Sequence, residues 1–202
     1  MHPFDHRPDT PIINGKTYNE WVEKVNQNYL DICHDKTVLE IASGEGLIGQ
    51  KILDHRPRQL TLIDPAPVAK AITGAEFISD DVSQWLNQYR PMDVVICFGY
   101  LFHIHNSLQL IESIVNYCNP ETIILDNVIA PHPLAFNEET IGRPNNRYVR
   151  QNWKYSPYNL AVPFFIINKS LDHMGYSLVK THKLKFEIFP KTNGWVASWQ
   201  KR

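Results

Sequence analysis

Val38-Leu39-Glu40-Ile41-Ala42-Ser43-Gly44-Glu45-Gly46-Leu47-Ile48-Gly49, followed by Leu60-Thr61-Leu62-Ile63-Asp64, is the stretch that decides how this chain is read. Val38 to Ile41 is short and apolar, as a buried strand is, and Leu47, Ile48, Ile52 and Leu53 then recur at helical spacing. Gly44 and Gly46 therefore fall at a strand-to-helix turn, where a missing Cβ permits unusual dihedrals and lets backbone approach a ligand closely. Leu60 to Ile63 reads as a second buried strand. Asp64 stands at its carboxyl end, about 20 residues past the start of the turn, where an acid commonly holds ribose hydroxyls. The unit implies a cradle for a nucleoside-bearing cofactor, with an ordinary tight turn as the alternative for the glycines alone.

Two details separate this cradle from a dinucleotide site. Gly44-x-Gly46-x-x-Gly49 fits the bare G-x-G-x-x-G pattern, but Ala42 stands where the usual register has its first glycine. Glu40 precedes the turn by two residues; a carboxylate there repels a pyrophosphate and attracts a cation. Glu40-x-Ala42-x-Gly44-x-Gly46 together with Asp64 resembles motifs I and II of the class I S-adenosylmethionine-dependent methyltransferases, with Ala42 where that family more often has glycine. The resemblance spans roughly Thr37 to Arg202. It implies a Rossmann-like methyltransferase fold, α/β, with a seven-stranded mostly parallel sheet, helices on both faces and a carboxyl-terminal antiparallel strand pair. It also implies S-adenosyl-L-methionine as cofactor, a ligand that carries a sulfonium and an ammonium. Glu40, Ala42, Gly44 and Gly46 would hold its methionine part, Asp64 its ribose, and Asp81 with Val82 its adenine, through a side-chain acceptor and a neighbouring backbone N–H, while Pro65 is a further cofactor contact. For Asp81 the alternative is a cap on the helix that follows, and one residue can do both.

The composition is consistent with one soluble domain. The chain has 202 residues, 43% of them hydrophobic, enough for one buried core. Twenty Lys and Arg against 21 Asp and Glu leave no global field toward nucleic acid or membrane, although a local basic patch remains open. Cys33, Cys97 and Cys118 lack C-x-x-C spacing and are odd in number, so reduced core thiols are expected rather than a disulfide framework. The amino end lacks the apolar core of a signal peptide and no run reaches membrane-spanning length, which points to a cytoplasmic protein.

Outward from the decisive stretch, strands and helices alternate. The pattern predicts a single domain over 1–202, divided into an amino-terminal arm and helix (1–35), a cofactor-binding core (36–129), a substrate-side excursion (130–160) and a closing helix and hairpin (161–202). Helices are expected over Tyr18 to Cys33, Ala66 to Ile72, Val82 to Tyr89, Ser107 to Cys118 and Pro163 to Met174, the last closed by Gly175. Further strands are expected over Glu76 to Ile78, Met92 to Phe98, Thr122 to Leu125, Ser177 to Glu187 and Trp195 to Gln200. Such alternation gives a parallel sheet built by right-handed crossovers, with ligands outside the carboxyl ends of its strands. Glu40, Asp64, Asp81, Phe98 and Asp126 all fall there.

Phe98-Gly99-Tyr100-Leu101-Phe102-His103-Ile104-His105-Asn106 follows the fourth strand and resembles the corresponding motif of small-molecule and tRNA methyltransferases. Phe98 and Gly99 would line the cofactor and His103 would face the reacting end, as a near-neutral base able to take a proton from an attacking oxygen or nitrogen. The alternative is a histidine that only bonds backbone or packs beneath the loop. His103 and His105 alone make no metal site, so no metal is expected. Arg143, Arg147, Tyr148, Arg150, Trp153, Lys154 and Tyr155 cluster basic and aromatic side chains that can grip phosphate or stack a base, or form a solvated flap. Arg147, Arg150 and Tyr155 are the candidate substrate contacts. Arg150 to Pro157 and the segment to Tyr176 resemble the enzymes of this fold that alkylate wobble uridine in tRNA; for the carboxylate of a carboxylated cofactor, Arg150 and Lys191 are candidate partners.

Three readings follow from the sequence. The first is an S-adenosylmethionine-dependent methyltransferase acting on an O or N centre of a small molecule or nucleic-acid base. The second is carboxymethyl or related group transfer to tRNA. The third is a non-catalytic cofactor-binding module that partners another enzyme.

Overall fold

A computed structural model describes residues 18–44, 46–65, 72–101, 104, 106–129, 162–185 and 193–202. The elements run α1 (Tyr18–Tyr29), β1 (Thr37–Ile41), α2 (Leu47–Asp54), β2 (Gln59–Ile63), β3 (Glu76–Ile78), α3 (Val82–Trp85), β4 (Val94–Cys97), α4 (Ser107–Ser113), β5 (Thr122–Ile129), α5 (Phe164–His173), β6 (Tyr176–Lys185) and β7 (Asn193–Lys201). The strands form one seven-stranded sheet in the order β3-β2-β1-β4-β5-β7-β6. β1 to β5 pair in parallel, whereas β7 pairs antiparallel with both β5 and β6. This is the Rossmann-like arrangement the sequence implies, with its antiparallel carboxyl-terminal pair.

Period-two alternation along the buried strands feeds two cores. Leu39, Ile41, Val95, Cys97, Ile123 and Leu125 face α3, α4 and α5. Val38, Leu60, Leu62, Val94, Ile96 and Ile124 face α1 and α2. The apolar runs read from sequence are continuous because each strand must satisfy both faces. Cys33, Cys97 and Cys118 are buried and unpaired, as expected, and burial pushes their thiols well above the usual range.

Several element bounds differ from the sequence expectation for identifiable reasons. α1 ends at Tyr29, and Asp31–Cys33 tightens into a 3₁₀ turn from which Asp35, at φ 54°, donates to Arg56 O to start β1. The helix expected over Val82 to Tyr89 is a single turn ending at Trp85. Arg90 is drawn away instead, its amide donating to Tyr117 O at 2.8 Å and its guanidinium lying 4.5 Å over the Trp85 ring. The helix expected over Ser107 to Cys118 widens into a π-turn over Ile114–Cys118 and stops at Asn119 in the left-handed region. The carbonyls of Tyr117 and Cys118 thereby receive Arg90 and Met92. β4 is trimmed to Val94–Cys97. β5 runs beyond Leu125 to Ile129, because β7 keeps pairing, Asp126 with Val196 through Ile129 with Asn193, after β4 has ended at Cys97. α5 begins behind Pro163 and is followed by Gly175 at φ 92°, as the sequence anticipates. Residues 66–71 of the helix expected over Ala66 to Ile72, residues 130–160 of the excursion and residues 186–192 before β7 lie outside the described residues.

The two ends of the described chain are tied together. The Tyr29 hydroxyl donates to Val196 O at 3.2 Å and lies 2.6 Å from Nδ1 of His182, while Lys180 donates to Asn28 O at 2.9 Å. Near the other end of the sheet's long strands, the fully buried Tyr176 donates its hydroxyl to Pro120 O at 2.7 Å. Tyr176→Phe removes that donor from a buried carbonyl and is expected to cost about 1–2 kcal/mol of unfolding free energy. Urea unfolding measures it, and an unchanged midpoint means the carbonyl finds another partner.

Candidate cofactor site

The strand order reverses between β1 and β4, and an α/β sheet opens a crevice at such a point, beyond the carboxyl ends of its strands. Two turns border the crevice: the one leaving β1 and the one leaving β4. Among its described residues the first carries Ala42 at φ 57°, Gly44 at 52° and Gly46 at 79°, all in the left-handed region. Ala42 bears a conformational cost of order 1 kcal/mol that glycine would not. The positive φ of Gly46 favours glycine, and a Cβ there would also displace the tip of the Ile72 side chain. A Cβ on Gly44 meets nothing within 4 Å, which leaves open volume over its backbone.

Asp64, nearly buried at the end of β2, accepts from Gly44 N at 2.8 Å. The carboxylate assigned to ribose thus also holds the turn that would carry the methionine part. Ser43 N donates to Ile63 O at 3.2 Å, a second tie between the turn and β2. The Ser43 hydroxyl is buried without a partner.

Glu40 points from β1 toward α2 and is 4% exposed, and its Oε2 has no hydrogen-bond partner. Loss of hydration, reinforced by the charge of Asp64 and only partly offset by the Gly49 amide, pushes its carboxyl up to about 8. Gly49 permits this approach: a Cβ there would stand 2.8 Å from Leu62 and 2.9 Å from Oε2 of Glu40. The third glycine of the sequence pattern therefore serves helix packing over a carboxylate.

Across the crevice the second turn repeats the device. Gly99, at φ 68°, donates its amide to Oδ1 of Asp126 at 2.6 Å, and a Cβ on it would meet nothing within 4 Å. Asp126 is buried, and desolvation pushes its carboxyl up to about 7. Tyr100, partly buried in the same turn, has its hydroxyl pushed up, first by burial and then by the neighbouring acidic groups of Cys97, Asp81 and Asp64. The sequence placed Asp126 at a strand end without a role. The signal available was a second acid standing, like Asp64, one strand over from a glycine turn.

The remaining expected residues divide. Pro65 is exposed at the end of β2. Asp81 is exposed and caps α3, its Oδ1 accepting from Ser83 N at 2.8 Å and Gln84 N at 3.1 Å. Val82 buries its side chain in the core, and the group expected to meet adenine is its backbone N–H. Phe98 is buried against the α1/α2 side. His103, Arg147, Arg150, Tyr155 and Lys191 lie outside the described residues.

A second depression, of about 480 Å³, lies at the opposite, amino ends of the strands, lined by Thr37, Arg58, Asp93, Asn119, Glu121 and Lys201. Its charges are mutually engaged: Arg58 with Asp93 at 2.8 Å, Asp93 with Thr37, and Lys201 with Asn119. It therefore fastens the sheet's floor and offers no unsatisfied group to a ligand.

Comparison with known proteins agrees with the geometry. A family model described as a methyltransferase domain matches residues 13–178. The tRNA U34 carboxymethyltransferase of Wolinella succinogenes is 24% identical over 171 residues, which make up 77% of this chain and 56% of that protein. The chain thus spans little more than half the length of that relative. Magnesium protoporphyrin IX methyltransferase from Synechocystis PCC 6803, solved with bound SAM, superposes with a TM-score of 0.64 at 14% identity, covering 92% of this chain and 80% of that one. N-methyltransferase NodS from Bradyrhizobium japonicum WM9, solved with S-adenosyl-L-homocysteine, gives 0.62 at 14% identity, covering 91% and 86%. At these identities the structural likeness is one of fold.

The buried acid sets a pH dependence. Folded Glu40 keeps its proton up to about pH 8, whereas an unfolded glutamate loses it near pH 4 to 5. Between those values the folded chain binds more protons than the unfolded one, so rising pH erodes stability by at most about 1.4 kcal/mol per pH unit. Glu40→Gln removes this contribution. Its stability relative to the native chain is expected to climb from about pH 5 to about pH 8 and then level off. Urea unfolding across that range tests it; a difference that stays constant means the native carboxylate ionises without penalty.

Proposed function

The chain belongs to the methyltransferase domain family, and from that premise we propose that it is an S-adenosyl-L-methionine-dependent methyltransferase acting on an O or N centre of a small molecule or nucleic-acid base. The observation that carries the cofactor assignment is the Glu40 carboxylate, buried beside a crevice with one oxygen lacking a donor. A desolvated acid in that position favours a cationic ligand and opposes a pyrophosphate. The open volume over Gly44 and Gly99 lets a ligand approach backbone on both sides of the switch point.

The residues fit this cofactor. Glu40 and the Ala42–Gly46 turn take its methionine end, Asp64 its ribose, and Asp81 with the Val82 backbone its adenine edge, while Pro65 is a further contact. Phe98 and Gly99 close the β4 side. The cofactor supplies a methyl carbon already activated by positive sulfur, so the chain's work is to position the acceptor in line, hold it there and keep water out. His103, two residues beyond Leu101, serves as the base that takes the acceptor's proton at the start of transfer. No helix among the described residues is long and apolar enough to cross a membrane. We further propose a cytoplasmic location and that residues 1–202 fold as one domain.

A second reading, carboxymethyl or related transfer to tRNA, is supported by the Wolinella relative and by the basic and aromatic run Arg143 to Tyr155. Arg147, Arg150 and Tyr155 would then contact the nucleic acid. A third, a non-catalytic cofactor-binding module, predicts ligand binding without turnover.

Isothermal calorimetry with S-adenosylhomocysteine tests the main reading. Asp64→Ala removes both the ribose acceptor and the tie to Gly44, and Gly44→Val places a branched side chain at φ 52° in the ligand's space; each is expected to abolish binding. Native affinity in both variants overturns the assignment. For the second reading, tRNA retention by the native chain should fall steeply with added salt and weaken when Arg147 and Arg150 are replaced. Absence of retention at low salt removes that reading.

A further inference from the structure

The crevice is bounded by two arrangements of the same kind, of which only one belongs to the cofactor motif. At the end of β2, Asp64 reaches across to Gly44, in the turn leaving the neighbouring strand β1. At the level where β5 leaves β4 behind, Asp126 reaches across to Gly99, in the turn leaving β4. Both glycines have positive φ, both have open space where a Cβ would stand, and both acids are nearly buried. The second bond is the shorter, 2.6 Å against 2.8 Å. It joins a carboxyl to a backbone amide at the one point where the chain turns out of the sheet toward Tyr100 and Leu101.

Asp126 is held firmly enough to impose that geometry. Its backbone is paired to Val196 of β7, and the strand continues for three further pairs, Asn127 with Trp195, Val128 with Gly194 and Ile129 with Asn193. Downstream of Gly99 the turn is fixed again, since the buried Ser107 hydroxyl donates to Leu101 O at 2.8 Å and Leu101 itself is fully buried. The backbone from Phe98 to Leu101 is thus fastened at both ends. Removing the first fastener frees a positive-φ glycine, the residue least able to keep its own conformation.

We propose that Asp126 is a positioning residue for the acceptor side of the crevice, holding the Phe98–Leu101 turn against β5 through its bond to the Gly99 amide. Its function is exerted through Gly99 and needs no contact with the reacting atoms. The ligand-binding part of this proposal rests on the cofactor reading above, whereas the fastening of the turn does not. Burial of an acid is costly, and the Gly99 amide offsets part of that cost by donating to Oδ1 of Asp126.

The test compares native chain, Asp126→Ala and Asp126→Asn by two measurements. Amide hydrogen exchange of Gly99, Tyr100 and Leu101 is expected to accelerate at least tenfold in the alanine variant. In the asparagine variant, which keeps a carbonyl oxygen for Gly99, exchange should stay within about threefold of native. Exchange of β1 and β2 amides serves as the control for general loosening and should not move. Calorimetry with S-adenosylhomocysteine should show affinity lost about tenfold in Asp126→Ala and restored to within about threefold in Asp126→Asn. Native-like exchange at Gly99–Leu101 in the alanine variant overturns the proposal, as does acceleration spread equally over β1 and β2. Accelerated exchange with unchanged affinity overturns its ligand-binding half. If the native chain itself does not bind the probe, the cofactor reading falls and the exchange data still decide the fastening.

Discussion

The site is organised around a carboxylate taken out of water. Glu40 sits on β1 with α2 laid over it, and the helix comes that close because Gly49 has no side chain to hold it off. One oxygen keeps the Gly49 amide's influence while Oε2 is left without a donor. In the free chain desolvation and the nearby charge of Asp64 keep this acid protonated up to about pH 8. A sulfonium or ammonium ligand would favour its ionised form. Packing, turn geometry and ligand charge are therefore one problem with one solution.

The two sides of the crevice are built differently. On the β1/β2 side every important group is a strand-end residue or its immediate successor, so its position follows from register: Glu40 pairs with Leu62, Ile41 with Ile63, and Asp64 comes next. On the β4/β5 side the chain leaves the sheet sooner, and a side-chain bond from Asp126 replaces backbone pairing as the fixed point. One half is set by the sheet and the other by the segments that depart from it.

Much of this was legible in the amino-acid sequence because the informative residues are ones whose chemistry is local. The glycines at positive φ, the acids closing Leu60–Ile63 and preceding Val82, and the alternation of strand and helix each carry a signal within a few residues. What sequence misjudged depended on partners far along the chain. β5 extends to Ile129 because β7 accompanies it, and the helix starting at Val82 stops at Trp85 because Arg90 is taken by Tyr117. Val82 buries its side chain in the core, and the part expected to meet adenine is its backbone N–H. Asp126 went unassigned because its partner, Gly99, lies on a different strand's exit and no short motif joins them. The acceptor-side residues His103, Arg147, Arg150 and Tyr155 rest on sequence pattern alone.

β7 lies between β5 and β6 although it follows both in the chain, and Tyr29 of the first described helix bonds to Val196 at its centre. A strand made later must therefore be seated between two made earlier. During synthesis β5 has to wait with one edge unpaired, its long-range partner still to come, and the same wait leaves Asp126 without the backbone that steadies it. Loop-closure entropy makes such late, non-local pairing slow. The edge of β5 that borders the acceptor side of the crevice is thus completed only by a strand from the far end of the described chain, and until that strand arrives it is the kind of open edge on which chains associate.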